Sequence, residues 1–396
     1  MKNIKQIDIK NRRVLIRVDF NVPIKNKKIQ SDFRIKTVKE TINHCIKNNV
    51  SIVLMSHLGR PENKDPLLSL FLLKDYLADF FGVKVYFSDD CISDKAIKKS
   101  LNLKPTEIHL LENLRYYPEE NSNNDAFAQK LSLHGDVYIN DAFGTSHREH
   151  ASNSSILKYF KIKAIGFLMM RELNYLDNIF NTESKGIVVL GGSKISTKIK
   201  MLKNFINKSS HILIGGAMAF TFLKSKGINV GKSLVEDDMI NEASKILKMA
   251  NEKNVEIILP VDVVCSEEYS NLSEFRVCNV NEINNEEMAL DIGPETTMIF
   301  EMIIKSSKFI IWNGPLGTFE LSNFSTGTHS IAYCISKLTM EKDVVSIIGG
   351  GDTASAVILS NLEDTYTHVS TGGGASLQLL SGEILKIISS WRKYER

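Results

Sequence analysis

Short apolar runs, many of them β-branched, alternate along the whole chain with longer segments in which apolar residues recur every three or four positions. The short runs are typical of buried strands and the longer segments of amphipathic helices. The strand candidates are 13–18, 51–55, 187–190, 212–214, 257–259, 309–311 and 344–348, and the helix candidates are 35–48, 71–81, 167–176 and 377–391. Such alternation favours parallel sheets with helices on both faces, so we predict an α/β fold of doubly wound, Rossmann-like sheets.

The domain organisation follows from the chain length. A single hydrophobic core rarely serves a chain of 396 residues, so two domains are expected. The helical pattern 167–176 lies between two α/β halves. We therefore predict an N-terminal domain over 1–165, a connecting helix over 166–182 and a C-terminal domain over 183–376.

Composition excludes several classes of partner. The chain is 43% hydrophobic and 24% charged, with a net charge of +3, which is typical of a globular protein and too small an excess to indicate nucleic-acid binding. The longest apolar stretch, 212–223, is shorter than the roughly 20 residues that span a bilayer and contains two glycines. We expect neither a nucleic-acid nor a membrane partner.

Cysteine usage and the N-terminus bear on location. The 5 cysteines are scattered, with no metal-like or thioredoxin-like spacing, and the N-terminal residues contain no apolar leader. A reducing compartment suits such a chain, so we expect a cytoplasmic protein.

A glycine-rich turn follows the last strong strand candidate. Gly349, Gly350 and Gly351 let the backbone turn tightly and approach a ligand, and Thr353 is predicted to be the N-cap of the next helix. A helix N-terminus there would bind an anion. Because the Asp352 carboxylate repels phosphate, a bridging cation such as Mg²⁺ is expected, which indicates a metal-nucleotide site.

Four further segments of the second half carry candidate chemistry. The glycines of 370–376 repeat the pattern of a glycine turn followed by a helix. The segment 312–320 offers an apolar wall, backbone groups and a carboxylate for a nucleoside, and the glycine pair 215–216 could accept a flat base. Lys194 and Lys198 are an i, i+4 pair and are predicted to share one helix face. Two cations on one face suit a polyanion, although a solvated helix surface remains the alternative.

Basic residues in the first half fall where predicted strands give way to helices. These residues are Arg34, Arg60, Arg115 and Arg148, with His57 beside one of them and with Asp19 and Asn21 on one face after the first strand. Any one of these arginines alone could be a solvated charge. Several guanidiniums converging on one crevice would bind a small ligand rich in phosphate or carboxylate, because the guanidinium fork binds such groups bidentately.

The motifs together resemble the phosphoglycerate kinase family. The segments that carry the resemblance, in that family's order, are 17–23, 56–61, 144–148, 190–198, 312–320, 349–353 and 370–376. The resemblance implies two doubly wound domains joined by a helix, with a cleft between them, hinge bending, and a C-terminal helix over 377–396 packed on the N-terminal domain. It also implies a monomer that transfers a phosphoryl group reversibly between 1,3-bisphosphoglycerate and MgADP, giving 3-phosphoglycerate and MgATP.

The resemblance assigns roles by position in this chain. The residues implied to bind the glycerate and its phosphate are Asp19, Asn21, Arg34, His57, Arg60, Arg115 and Arg148. Those implied to bind the nucleotide are Lys194, Lys198, Gly215, Gly216, Asn313, Glu320, Gly349, Gly350, Gly351, Asp352 and Thr353, with Glu320 on the ribose and Asp352 on Mg²⁺. Arg34, Lys198, Gly372, Gly373 and Gly374 are implied to contact the transferring phosphoryl group. Ser193 and Gln378 depart from the usual Ala and Glu and carry no chemistry.

The reaction itself explains why the chain shows no nucleophile arrangement. An acyl phosphate is an activated donor and the ADP oxygen is already ionised, so alignment and charge neutralisation suffice. Two alternatives stay open: a kinase acting on another small carboxylate, such as acetate, and a nucleotide-binding scaffold without turnover.

Overall fold

The computed structural model describes residues 1–178, 185–342 and 344–395, apart from the side chains of 177 and 178. The chain divides into two compact units, one formed by Met1–Asn174 with the chain from Ile384 onward, the other by Tyr175–Glu383. Each unit contains its own six-stranded sheet. The predicted α/β fold with two parallel sheets is confirmed, while the predicted domain limits at 165, 182 and 376 stay predictions.

The first unit contains a parallel sheet, a small hairpin and short helices. Its strands are β1 (Arg13–Val18), β2 (Ile24–Lys25), β3 (Lys28–Ile29), β4 (Ser51–Met55), β5 (Val85–Phe87), β6 (Ile108–Leu110), β7 (Val137–Asp141) and β8 (Lys163–Ile165). Its α-helices are α1 (Phe33–Thr37), α2 (Lys39–Lys47), α3 (Lys74–Phe81), α4 (Asp94–Leu101), α5 (Pro118–Asn121) and α6 (Asp125–Ser132), with 3-10 turns at Ile4–Gln6, Pro66–Leu68, Leu70–Leu73, Leu114–Tyr116, Phe143–Thr145 and Ser155–Tyr159.

The strand order places the loops that carry the first unit's candidate residues at one edge. The order is β5-β6-β4-β1-β7-β8, with every neighbouring pair parallel. The chain therefore extends the sheet on one side of β1 and then on the other, and the loops after β1, β4, β6 and β7 all leave the same edge. Buried side chains of β1 and β7, such as Ile16 and Ile139, belong to the core beneath those loops.

Helix α7 (Phe167–Asn178) crosses the division between the units at residue 174. The connecting helix was predicted over 166–182, and residues 179–182 of that prediction lie outside the described residues. Within the first unit, the α7 residue Arg171 forms an ion pair of 2.7 Å with Glu40 and donates to the Thr37 carbonyl oxygen at 3.0 Å.

The second unit contains a parallel sheet and a smaller antiparallel one. Its strands are β9 (Gly186–Leu190), β10 (Ser209–Ile214), β11 (Glu256–Ile258), β12 (Asp262–Ser266), β13 (Phe275–Asn279), β14 (Met288–Ile292), β15 (Phe309–Asn313), β16 (Val345–Gly349) and β17 (His368–Val369). Its α-helices are α8 (Ile199–Phe205), α9 (Met218–Ser225), α10 (Ile240–Glu252), α11 (Pro294–Ile304), α12 (Thr326–Lys342), α13 (Gly351–Leu359) and α14 (Gly373–Leu380), with 3-10 turns at Asp237–Met239, Val280–Glu282, Ser322–Phe324 and Glu363–Thr365.

The parallel sheet of the second unit also grows in both directions from its first strand. Its order is β11-β10-β9-β15-β16-β17, all parallel. The antiparallel sheet β13-β12-β14 was not predicted. Most residues of β13 are exposed, so this strand lacks the apolar run by which the buried strands were found.

The helix predicted over 377–391 is wrong as a single element. Helix α14 ends at Leu380, and a second helix, α15 (Lys386–Lys393), begins after a turn in which Gly382 has a φ of +77°. A left-handed glycine of this kind ends a helix. Trp391 of α15 is buried in the first unit, 6.5 Å between ring centroids from Tyr138 of β7.

Two other helix predictions are interrupted. The segment 35–48 is divided at Val38 into α1 and α2, and the segment 71–81 begins as a 3-10 turn before α3. No helix among the described residues has the length and apolar character that crossing a membrane requires.

Candidate active site

A buried ion pair lies at the edge of the first unit's sheet. Asp19 directly follows β1 and is buried, and its carboxylate pairs with the half-buried guanidinium of Arg34 in α1. Burial alone would raise the pKa of Asp19, but the charges of Arg34, His57 and Arg17 hold that pKa well below its usual range. The Asp19 carboxylate therefore stays ionised and orients the cations around it.

More cations than anions meet at this edge. Arg115 follows β6 and donates to the carbonyl oxygen of Gly59. Burial, together with the nearby charges of Arg148, Arg17 and Arg60, lowers the pKa of Arg115 to about 10. Cations this close repel one another, and a bound polyanion would remove that repulsion.

The loops that carry these cations are tied together by side-chain amides. Asn21, after β1, accepts a hydrogen bond of 2.8 Å from the Gly59 N–H in the loop after β4. Asn113, after β6, accepts from the Leu58 N–H at 3.2 Å and donates to the Leu58 carbonyl oxygen at 2.7 Å. The loop that carries His57 and Arg60 is thereby fixed from both neighbouring strands, with His57 buried and Arg60 exposed.

In the second unit, the predicted pairing of two lysines on one helix face is wrong. Helix α8 begins only at Ile199, so Lys198 is its N-cap and Lys194 precedes it in an irregular, exposed segment. The glycine turn after β9 delays the helix, which the i, i+4 spacing could not reveal. Lys198 is buried and Lys194 is not.

The Lys198 ammonium group is held by the backbone. Its Nζ donates to the carbonyl oxygens of Gly191 and Asn313, both at 2.6 Å. Burial lowers the pKa of Lys198 to about 7, although the Asp352 carboxylate opposes that shift. An arriving phosphate would supply the counter-charge that this ammonium group lacks.

The glycine turn before α13 is present, but its cap differs from the prediction. Gly350, not Thr353, is the N-cap, and its φ of +94° requires a glycine there. Thr353 lies in the first turn of α13, where its Oγ1 accepts a hydrogen bond of 2.6 Å from the Gly314 N–H. The threonine therefore connects α13 to the loop after β15.

The glycine turns before α13 and α14 adjoin each other. A Cβ placed on Gly373, the first residue of α14, would lie 3.3 Å from the Gly351 backbone nitrogen at the start of α13. The Nδ2 of Asn313 is buried without a hydrogen-bond partner among the described residues, and it lies 3.2 Å from a Cβ built on Gly349 or Gly350. Two helix N-termini and a free amide donor thus converge, as an anion site requires.

A cavity of about 440 Å³ lies in the second unit beside these groups. Its walls include Gly216, Val263, Met288, Leu316, Glu320 and Asp352. Apolar walls with a few polar groups at one end suit a small ligand such as a nucleoside. Gly215 is not part of the wall and packs against Leu316, while Trp312 is fully buried below, where its Nε1 donates to the Gly314 carbonyl oxygen at 2.8 Å.

The expected metal site was a single carboxylate, Asp352. It is exposed in the first turn of α13 and lines the cavity. Among the residues that the structure describes, no group of three or more His, Cys, Asp or Glu side chains is placed to hold a metal ion. One carboxylate fits a cation that arrives with phosphate oxygens as its other ligands.

Comparison with known proteins decides which family has this arrangement. The phosphoglycerate kinase family model matches residues 4–383. The chain belongs to the phosphoglycerate kinase family. A phosphoglycerate kinase of Finegoldia magna is 45% identical over 388 residues, covering 97% of each chain, and one of Chlorobium phaeobacteroides is 44% identical over 392 residues, covering 98% of each.

Solved structures of the family share the fold. The phosphoglycerate kinase of Coxiella burnetii superposes with a TM-score of 0.85 at 35% identity, over 100% of this chain and 99% of that one. That of Pyrococcus horikoshii gives a TM-score of 0.87 at 28% identity, again over 100% and 99%. The resemblance drawn from the sequence motifs is confirmed over the whole chain.

Several buried polar residues beside the phosphoglycerate kinase motifs were missed by sequence reasoning. They are Arg17, Glu120, Ser152 and Asp291. Asp291 lines the cavity, where burial raises its pKa to about 7, and it accepts from the Gly327 N–H at 2.8 Å. The one available signal was Arg17, a charge enclosed by apolar residues toward the end of β1, because such a charge needs buried partners.

Proposed function

We propose that the chain catalyses reversible phosphoryl transfer between 1,3-bisphosphoglycerate and ADP, giving 3-phosphoglycerate and ATP. Membership of the phosphoglycerate kinase family over nearly the full length supports this function. The observation that carries it is the surplus of cations around Arg115, together with a separate cavity beside two helix N-termini. The cations suit a small phosphorylated carboxylate, and the cavity with its helix N-termini suits a nucleotide.

The glycerate substrate would bind to the first unit. The substrate would be held by the arginines after β1, β4, β6 and β7 and by the carboxylate, amide and imidazole side chains among them. The proposed ligands are Asp19, Asn21, Arg34, His57, Arg60, Arg115 and Arg148. The low pKa of Asp19 supports this arrangement, because an ionised carboxylate keeps Arg34 oriented before substrate arrives.

The nucleotide would bind to the second unit. Its base would enter the cavity at Gly216 and Leu316, and its ribose would reach Glu320. Its phosphates would contact the N–H groups of 349–353 and 372–374, the amide of Asn313 and the two lysines. The exposed Lys194 side chain is able to move toward the phosphates, whereas the buried Lys198 side chain is held in place. The proposed Mg²⁺ arrives as part of the nucleotide complex and neutralises phosphate charge, with Asp352 as its protein ligand.

The residues of this chain would then act by position and charge. Arg34 and Lys198 would neutralise the charge that spreads over the phosphoryl oxygens, and the N–H groups of Gly372 and Gly373 would receive the same oxygens. No proton has to be removed from the acceptor, since the ADP oxygen is ionised. The Lys198 ammonium, whose pKa is about 7, gains its charge fully as the phosphates bind.

We further propose a cytoplasmic monomer. All 5 cysteines are free and buried, and the Sγ atoms of Cys265 and Cys278 lie 3.7 Å apart without a bond, which supports a reducing compartment. Light scattering after gel filtration checks the proposed monomer.

A coupled assay with 3-phosphoglycerate, ATP and Mg²⁺ tests the function. Activity should need all three components and should fall about a hundred- to thousandfold in Arg34→Ala. Arg392→Ala, which changes an exposed arginine on α15, is the matched control and should keep full activity. Turnover with acetate in place of 3-phosphoglycerate would favour the other carboxylate kinase, and nucleotide binding without any turnover would favour the scaffold.

A further inference from the structure

A chain of buried hydrogen bonds leads from the interior of the first unit to His57. Glu120 of α5 is buried, and its Oε1 accepts a hydrogen bond of 2.6 Å from the Ser152 hydroxyl. Ser152 Oγ in turn accepts from Arg17 Nε at 2.9 Å. Of the two terminal nitrogens of this guanidinium, NH2 lies 3.1 Å from His57 Nδ1, and NH1 donates to the Val18 carbonyl oxygen.

The direction of these bonds follows from Arg17, which can only donate, and from the ionised form of Glu120, which can only accept. The Ser152 hydroxyl has one proton and gives it to Glu120, so its oxygen is the acceptor toward Arg17. A guanidinium can only donate, so His57 Nδ1 must accept and carries no proton. The proton of a neutral His57 is therefore on Nε2.

We propose that Arg17, oriented by Ser152 and Glu120, is a positioning residue that holds His57 as the neutral Nε2–H tautomer, so that this N–H donates to the glycerate substrate. The Nε2 atom lies 3.8 Å from Asp19 Oδ1, too far for a hydrogen bond, which leaves the N–H able to donate to a ligand. The proposal rests on the proposed function only for the identity of that ligand.

The charges around His57 also keep it neutral. Burial lowers its pKa well below the usual range; Asp19 opposes that shift, while Arg17, Arg115 and Arg34 add to it. A second proton would have to sit on Nδ1, facing the Arg17 guanidinium. His57 would therefore stay neutral, with the same donor, at the pH where an ordinary histidine gains its second proton.

The direct test is the nitrogen-15 spectrum of the histidine rings, with His57 assigned by its loss in His57→Gln. In the wild-type protein we expect the Nε2–H pattern at pH 7, unchanged down to about pH 5. A wild-type Nδ1–H pattern, or an imidazolium at pH 7, would overturn the proposal. This measurement needs no catalytic activity, so the proposed tautomer of His57 can hold even if the proposed function fails.

Two variants test the role of the chain of hydrogen bonds. Ser152→Ala removes the acceptor that orients Arg17, and Arg17→Met removes the donor itself. In both we expect the second tautomer or the charged form of His57 to appear, and we expect the dissociation constant of 3-phosphoglycerate to rise about tenfold while that of ADP stays unchanged. If Arg17→Met does not fold, Ser152→Ala and the wild-type spectrum decide.

The matched control is Ser155→Ala. Ser155 is a buried serine of the same segment, and its hydroxyl donates to the Asn123 carbonyl oxygen instead. It should change neither the spectrum nor glycerate binding. Weakened glycerate binding in Ser152→Ala with an unchanged His57 spectrum would show a merely structural serine and would contradict the proposal.

Discussion

At the scale of single residues, Lys198 links stability to pH. The pKa of its buried ammonium is about 7, against 10.5 for an ordinary lysine. Between about pH 7 and 10, the unfolded chain thus holds a proton that the folded protein has released, so this residue makes stability rise with pH across that window. Below pH 7 both forms hold the proton and the dependence ends.

Replacing Lys198 should therefore change the pH profile of stability. We expect the free energy of unfolding of the wild type, relative to Lys198→Met, to increase from pH 7 to about pH 9 in urea titrations, because only the wild type loses its burial penalty there. Lys194→Met, at an exposed lysine, is the control and should follow the wild type. A flat difference between wild type and Lys198→Met would contradict the low pKa.

The two lysines also show what a sequence reveals about a site and what it does not. Their presence after a glycine turn, and the order of the surrounding motifs, was enough to predict a nucleotide site. Their unequal burial could not be predicted, because it depends on where α8 begins and on a carbonyl group from β15. Arg17 was missed for the same reason, since its partners Ser152 and Glu120 are distant in sequence.

At the scale of elements, Thr353 holds helix α13 against the loop after β15. Thr353→Val leaves the buried Gly314 N–H without its acceptor, so we expect a loss of about 1–3 kcal/mol in stability and a severalfold weaker ADP affinity. Urea titration and calorimetry measure the two effects. Thr353→Ser keeps the hydroxyl and should restore both, and failure of that rescue would show that the methyl group, not the hydrogen bond, matters.

Helix α15 is expected to stabilise the first unit through one large side chain. Trp391 is 1% exposed and lies beside Tyr138. Trp391→Ala should cost about 3–5 kcal/mol of folding free energy, measured by urea titration. The exposed neighbour Arg392→Ala should cost almost nothing, and an equally mild effect of Trp391→Ala would contradict this packing role.

Elements were predictable where burial produced a pattern. The strands β1 and β4 are nearly continuous apolar runs, and both were predicted with their observed limits. The short strands β5, β8 and β17 of the parallel sheets were not predicted, because two or three residues are too few to form such a run. The antiparallel β13 was missed because it is mostly exposed. Breaks inside helices, such as the turn at Gly382, depend on local backbone conformation that apolar periodicity does not report.

At the scale of the whole molecule, phosphoryl transfer needs donor and acceptor oxygens in line and close together. Each proposed ligand set belongs to a single unit. We therefore expect the radius of gyration to fall when 3-phosphoglycerate and the magnesium nucleotide are both bound, and to fall less with either alone. Small-angle scattering without compaction in the doubly liganded protein would count against such closure.

One unit is proposed to bind the glycerate and the other the nucleotide, and calorimetry on Arg60→Ala and Asp352→Ala separates these two roles. Arg60→Ala should weaken 3-phosphoglycerate binding and leave MgADP affinity nearly unchanged, because its lost charge belongs to the cation cluster of the first unit. Asp352→Ala should do the reverse, because its carboxylate lines the cavity of the second unit. If either variant lost affinity for the other substrate instead, the assignment of the two sites would be wrong.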